Sequence, residues 1–148
     1  MRMAERTATS VWQGNLNQGS GVVNVASGAL PEFPVTWAAR TERSDGKTSP
    51  EELIAAAHAS CFSMAVSNVL AKGGHTPEAM RVESTVLLDK VNDKTTVNGV
   101  EVRVRGRVPG IDQASFQQTV QEAGLDCPVS RALRGSMDIK IVEATLES

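Results

Sequence analysis

Apolar and polar residues alternate without a break from Val100 to Arg107. Val100, Val102, Val104 and Gly106 interleave with Glu101, Arg103, Arg105 and Arg107, the signature of a strand with one buried and one wet face. Val82, Ser84, Val86 and Leu88 share one face of a second such strand, and Asn98-Gly99 marks a turn or a bulge. Nearer the start, Thr9–Gln13 and Gly21–Val25 flank a Gly/Asn-rich stretch from Gly14 to Ser20, which predicts a hairpin. Pro31 and Pro34 punctuate the next connection, Val35 to Arg40 reads as a third strand, and Thr41 to Thr48, with Asp45-Gly46, reads as a loop.

From Pro50 the period changes. Leu53, Ala57, Cys61, Met64, Ala65 and Asn68 recur at three- and four-residue spacing and form one stripe of a helix. Ser49 is placed as its N-cap, Pro50 suits the first helical position, and Glu52 stands where a capping-box carboxylate belongs. The helix is expected to run to Lys72 and end at Gly73-Gly74. Beyond the second strand Pro109-Gly110 ends the run, Asp112 caps a helix from Gln113 to Ala123 stopped by Gly124, Cys127 to Arg134 forms a shorter helical stretch, and Met137 to Leu146 is a last strand. Strands, helix, strands, helices, strand is an α+β order within one domain, residues 1–148, without the regular alternation of a doubly wound sheet.

Composition narrows the class. A 148-residue chain with a formal charge of −2 lacks the basic excess of a general nucleic-acid binder. Only 3% of residues are aromatic, so the core must come from Val, Ala, Leu, Ile and Met. No stretch is expected to span a membrane, and Met1 to Asn15 lacks the apolar region of a secretory signal. The expected compartment is the cytoplasm, where structural disulfides are rare. That turns attention to the two cysteines, Cys61 and Cys127.

Each has a packing reading and a chemical one. Cys61 on the helix stripe is a small apolar core residue unless a cation beside it lowers its pKa. Cys127 immediately precedes Pro128, which sets its sulfur at a helix N-terminus where N–H groups and the helix dipole favour thiolate. Arg40, Arg43 and His58 are the candidate neighbours for Cys61, although single arginines and helix-face histidines are usually solvated or packed. His58, Cys61, His75 and Cys127 contain the right atoms for zinc, but there is no CxxC or HxxxH pair, so no metal is expected.

The run Ser49-Pro50-Glu51-Glu52-Leu53-Ile54-Ala55-Ala56-Ala57-His58-Ala59-Ser60-Cys61-Phe62-Ser63-Met64-Ala65, with Val108-Pro109-Gly110-Ile111-Asp112 and Cys127-Pro128-Val129-Ser130, resembles the OsmC/Ohr family of thiol-dependent hydroperoxide reductases, on its OsmC branch. The resemblance covers essentially the whole chain. It implies an OsmC-like α+β fold, with antiparallel sheets packed around a long central helix in an intertwined homodimer. It implies a peroxidatic Cys61, a resolving Cys127, an arginine that maps to Arg40 and a carboxylate that maps to Glu51. Arg43 competes with Arg40, which is favoured as the end of a strand. Implied partners are an organic hydroperoxide and a dithiol reductant such as a lipoylated protein, with no metal, flavin or other cofactor. Glu51 and Cys61 are separated by about 15 Å of helix rise, so at least one of Arg40 and Glu51 is expected from the second subunit. A non-catalytic protein binding an apolar ligand, or a redox sensor, are the competing functions.

Overall fold

A computed structural model describes residues 1–148. The elements run β1 (Ala8–Gln13), β2 (Ser20–Val25), β3 (Phe33–Val35), α1 (Trp37–Thr41), α2 (Pro50–Lys72), β4 (Ala79–Val91), β5 (Lys94–Arg107), α3 (Gln113–Asp126), α4 (Pro128–Leu133) and β6 (Asp138–Leu146). They fall into two compact units, Met1–Leu53 and Ile54–Ser148, with the division inside α2.

In the first unit β1 and β2 form the expected hairpin, with Gln13 opposite Ser20, and β3 pairs antiparallel on the other side of β2. The third strand is shorter than the sequence suggests. It ends at Val35, and Trp37–Thr41 is helical. The reason is local: Thr36 Oγ1 accepts the Ala39 N–H at 3.1 Å as an N-cap, and Ala38, Ala39 and Arg40 are good helix formers. Arg40 is therefore carried by a short helix, not by the end of a strand.

The second unit holds the larger core. β4 and β5 pair as an antiparallel hairpin closed between Val91 and Lys94. Its two-residue turn is Asn92-Asp93, both with positive φ (50° and 61°), the backbone of a type I′ turn. Asn98-Gly99 is the bulge: Leu87 faces Gly99 and Leu88 faces Val97, which leaves Asn98 as the extra residue. β6 lies parallel to β5, so this sheet is mixed and not antiparallel as expected. Parallel neighbours need a long crossover, and α3 with α4 supplies it.

Phe62, Val66 and Leu70 of α2, Val100, Val102 and Val104 of β5, and Phe116, Val120 and Ala123 of α3 make one buried cluster. Each large apolar side chain sealed there contributes about 1.5–3 kcal/mol. α2 starts as its sequence dictates, with Ser49 Oγ accepting the Glu52 N–H at 3.1 Å, whereas the Glu52 carboxylate takes the Thr48 hydroxyl at 2.6 Å. It ends in a Schellman motif: Gly74 has φ +82°, His75 N–H bonds Leu70 O and Gly74 N–H bonds Ala71 O. By length and composition alone α2 is apolar enough to cross a membrane, a test that a core helix also passes. Its Phe62, Val66 and Leu70 row is nevertheless sealed against protein.

Gly124 does not stop α3, which continues to Asp126. A Cβ at Gly124 would lie 3.3 Å from Ile141 Cδ1 and 3.5 Å from Phe62 Cε2, so this glycine lets α3 lie close to α2 and β6. Gly106 is tighter, with a Cβ only 2.9 Å from Phe116 Cζ. Gly106→Ala is expected to cost about 1–3 kcal/mol by overpacking, seen as a lower urea midpoint with an unchanged slope.

Candidate active site

The fold brings the two thiols together. Cys61 sits half-buried on α2, directly before the buried Phe62, and Cys127 is fully buried where α3 ends and α4 begins. Both are free, and the Cys127 thiol donates to Cys61 Sγ at 3.3 Å. Cys127 is the N-cap of α4, with Pro128 next and the Ser130 N–H pointing at its sulfur at 3.5 Å. The placement expected from the Cys-Pro pair is thus realised. Burial pushes the Cys61 thiol up, a backbone hydrogen bond from Val129 pulls it back down, and Cys127 adds an upward push. None of these three influences is a cation.

His58, one turn before Cys61, is fully buried. Its Nδ1 lies 2.9 Å from Ser84 Oγ on β4, and its Nε2 lies 2.7 Å from Ser130 Oγ on α4. The ring meets Phe62 edge-on at 5.6 Å between centroids. Burial lowers its pKa, so the imidazole is held neutral. Sequence reasoning singled out His58 but neither serine. Ser84 was only an alternation position, and Ser130 only part of the Cys-Pro-Val-Ser run. His75 takes no part in this cluster and faces the Pro109 carbonyl at 3.4 Å.

In the first unit Arg40 and Glu51 form a forked ion pair. Arg40 Nη2 and Nε reach Glu51 Oε1 at 2.7 and 3.0 Å, and Nε also reaches Oε2 at 3.2 Å. The Glu51 side chain is 8% exposed and that of Arg40 30%, and the guanidinium carbon stands 5.8 Å from the Trp37 ring. A two-pronged guanidinium–carboxylate contact fixes direction as well as charge. Arg43 is exposed, and Glu51 belongs to Arg40. The site residues named from sequence therefore meet as two pairs, Arg40 with Glu51 and Cys61 with Cys127.

Comparison with known proteins adds kinship to this geometry. A family model described as OsmC-like protein matches residues 43–142, which takes in Glu51, Cys61 and Cys127 but not Arg40. Peroxiredoxin OsmC of Escherichia coli strain K12 is 39% identical over 128 residues, 86% of this chain and 89% of that protein. An organic hydroperoxide resistance protein of Xanthomonas axonopodis pv. citri is 35% identical over 98 residues, 66% of this chain and 67% of that one. Among solved structures, the organic hydroperoxide resistance protein OhrB of Bacillus subtilis aligns with a TM-score of 0.71 at 27% identity, covering 95% of this chain and 98% of that one.

The buried imidazole gives a pH signature. Because the folded pKa of His58 lies below the ordinary value, its contribution to stability is complete above the unfolded pKa of about 6.5. It is lost as pH falls from there through the folded value, since the unfolded chain binds the proton first. Urea unfolding between pH 7.5 and 5 should show stability falling by up to about 1.4 kcal/mol per pH unit from this one group. The slope should flatten in His58→Gln.

Proposed function

Because the chain belongs to the family of OsmC-like proteins, we propose that it is a thiol-dependent peroxidase that reduces organic hydroperoxides and hydrogen peroxide, with Cys61 as the attacking sulfur and Cys127 as the resolving one. Relatives named peroxiredoxin OsmC and organic hydroperoxide resistance protein support a peroxide-related redox role. The observation that carries the reading is the 3.3 Å approach of the chain's only two thiols. In the first step Cys61 thiolate attacks the peroxide. The O–O bond breaks, one oxygen stays on sulfur as sulfenic acid, and the other leaves as alkoxide or hydroxide and takes a proton. In the second, Cys127 attacks the sulfenic sulfur, the S–O bond breaks, and the disulfide forms with release of water. An external dithiol, with a lipoylated protein as the candidate carrier, then exchanges with the disulfide and is itself oxidised. The cycle needs no metal or bound cofactor, and the cytoplasm, where thiols stay reduced, suits it.

Cys61 needs a cation, because burial alone holds its thiol up. Arg40, aimed by Glu51, is the cation we assign to it, delivered by the second subunit of a homodimer in which each chain acts as one functional domain. Two features support the dimer. α2 is long and strongly apolar, yet most of it is left unburied within the chain, and Met64 is 66% exposed. In the first unit every β1 residue is exposed, and a small sheet without a core needs a partner. Ten residues of helix, about 15 Å, separate Glu51 from Cys61, so an arginine gripped by Glu51 suits the other subunit's thiolate.

One equivalent of tert-butyl hydroperoxide, followed by mass analysis, should give an intramolecular Cys61–Cys127 disulfide in the native chain and Cys61 sulfenic or sulfinic acid in Cys127→Ser. No mass change in either would reject the peroxidase in favour of a binding protein. Arg40→Leu should slow the first step at neutral pH by about tenfold for each pKa unit the thiol gains, and higher pH should restore it. At neutral pH, mixing the slowed Arg40→Leu chain with the inactive Cys61→Ser chain should raise activity above that of either alone, because one site of the mixed dimer then has both an intact thiol and an intact arginine. No gain on mixing would place the arginine in the same chain as its cysteine.

A further inference from the structure

No step of that cycle uses His58, although burying an imidazole is costly unless both ring nitrogens are satisfied. Here both are, by Ser84 on β4 and Ser130 on α4. A neutral ring has one donor and one acceptor nitrogen, so one serine hydroxyl accepts from it and the other donates to it. His58 and Cys61 are three residues apart on α2, and Cys127 and Ser130 are three apart across the first turn of α4. The two helices are therefore joined by two rungs at matched spacing: His58 to Ser130 at 2.7 Å, and Cys61 to Cys127 at 3.3 Å. Ser130 also ties the rungs together, because its hydroxyl meets His58 while its backbone N–H meets Cys127 Sγ.

We propose that His58 is a positioning residue for disulfide closure: its rung to Ser130 pins the first turn of α4 against α2 and keeps Cys127 within bonding reach of Cys61. This rests on the reading of those cysteines as resolver and attacker. The thiol rung must break and reform in every cycle, and it must open when an oxygen is added to Cys61 Sγ. α4 has only six residues, too few for a helix to hold itself in water. Val129 and Leu133 pack α4 against the core, and the His58 rung adds a directional hold on its first turn while the cysteines are apart. The His58 rung is made of groups that the redox cycle never changes, and Ser84 fixes the far side of the ring to the sheet. The chemistry served is the second step alone: Cys127 Sγ attacks the sulfenic sulfur, the S–O bond breaks, and water leaves with the Cys127 proton.

The test uses the full chain with Ser130→Ala, His58→Leu and His58→Gln. The first removes the hydroxyl but keeps the N–H that meets Cys127. Equilibration in reduced and oxidised glutathione, with the disulfide counted by alkylation and mass, measures the effective concentration of one thiol at the other without any peroxide. Stopped-flow mixing with tert-butyl hydroperoxide separates sulfenic acid formation from closure. Ser130→Ala should lower the effective concentration and the closure rate between about tenfold and a hundredfold, while sulfenic acid formation stays within about twofold. His58→Gln, whose amide keeps a polar contact to Ser130, should recover part of what His58→Leu loses. Unchanged effective concentration in Ser130→Ala would overturn the proposal, even if His58→Leu fails to fold. So would equal slowing of both steps with no rescue by His58→Gln. A drop in the glutathione measurement combined with no sulfenic acid in the native chain would uphold the positioning role and refute the peroxidase.

Discussion

Seating α2 along the valine row of β5 decides most of the second unit. Phe62, Val66 and Leu70 come down at four-residue spacing on Val100, Val102 and Val104, and α3 closes the cluster with Phe116, Val120 and Ala123. Gly106 and Gly124 lie beneath or beside the two phenylalanines, where a side chain would collide. With α2 fixed this way, the positions beside the core row are fixed too. His58 falls between β4 and α4, and Cys61 falls against the start of α4. The meeting of the two thiols is thus a by-product of helix-on-sheet packing, held by the same contacts that stabilise the unit.

That packing sets a problem for the chemistry. A thiol must ionise to attack a peroxide, and the burial that aligns Cys61 with Cys127 opposes ionisation. A backbone N–H at the start of α4, that of Val129, offsets part of this at Cys61. A full positive charge offsets more, and Arg40 is the candidate, its guanidinium steered by a carboxylate that is itself nearly buried. Contact with both oxygens of Glu51 fixes the arginine's orientation, and on the proposed function that orientation is set in advance of the reaction.

Much of this was legible in the order of residues because it is local. The cap at Ser49, the Gly73-Gly74 stop, the Asp112 cap and the Cys127-Pro128 helix start are each written in a few neighbouring side chains. The misreadings were local signals overruled by packing or by a neighbouring cap. Gly124 looks like a helix stop but serves as a gap for Phe62 and Ile141. Val35 to Arg40 looks extended until Thr36 turns the backbone into a helix. The parallel placement of β6 had no local sign at all, since the direction of a strand beside its neighbour depends on the crossover between them.

Taken alone, the sequence determined which segments alternate, which segments coil, and that two cysteines carry whatever redox chemistry there is, because periodicity, caps and residue chemistry act within a few positions. Only the tertiary structure decided that Cys61 meets Cys127, that Glu51 grips Arg40 and not Arg43, and that His58 bridges two serines on different elements. Those pairings join residues distant along the chain, and side-chain contact across such distances is set by how helices and strands pack to bury their apolar faces, not by spacing in the chain.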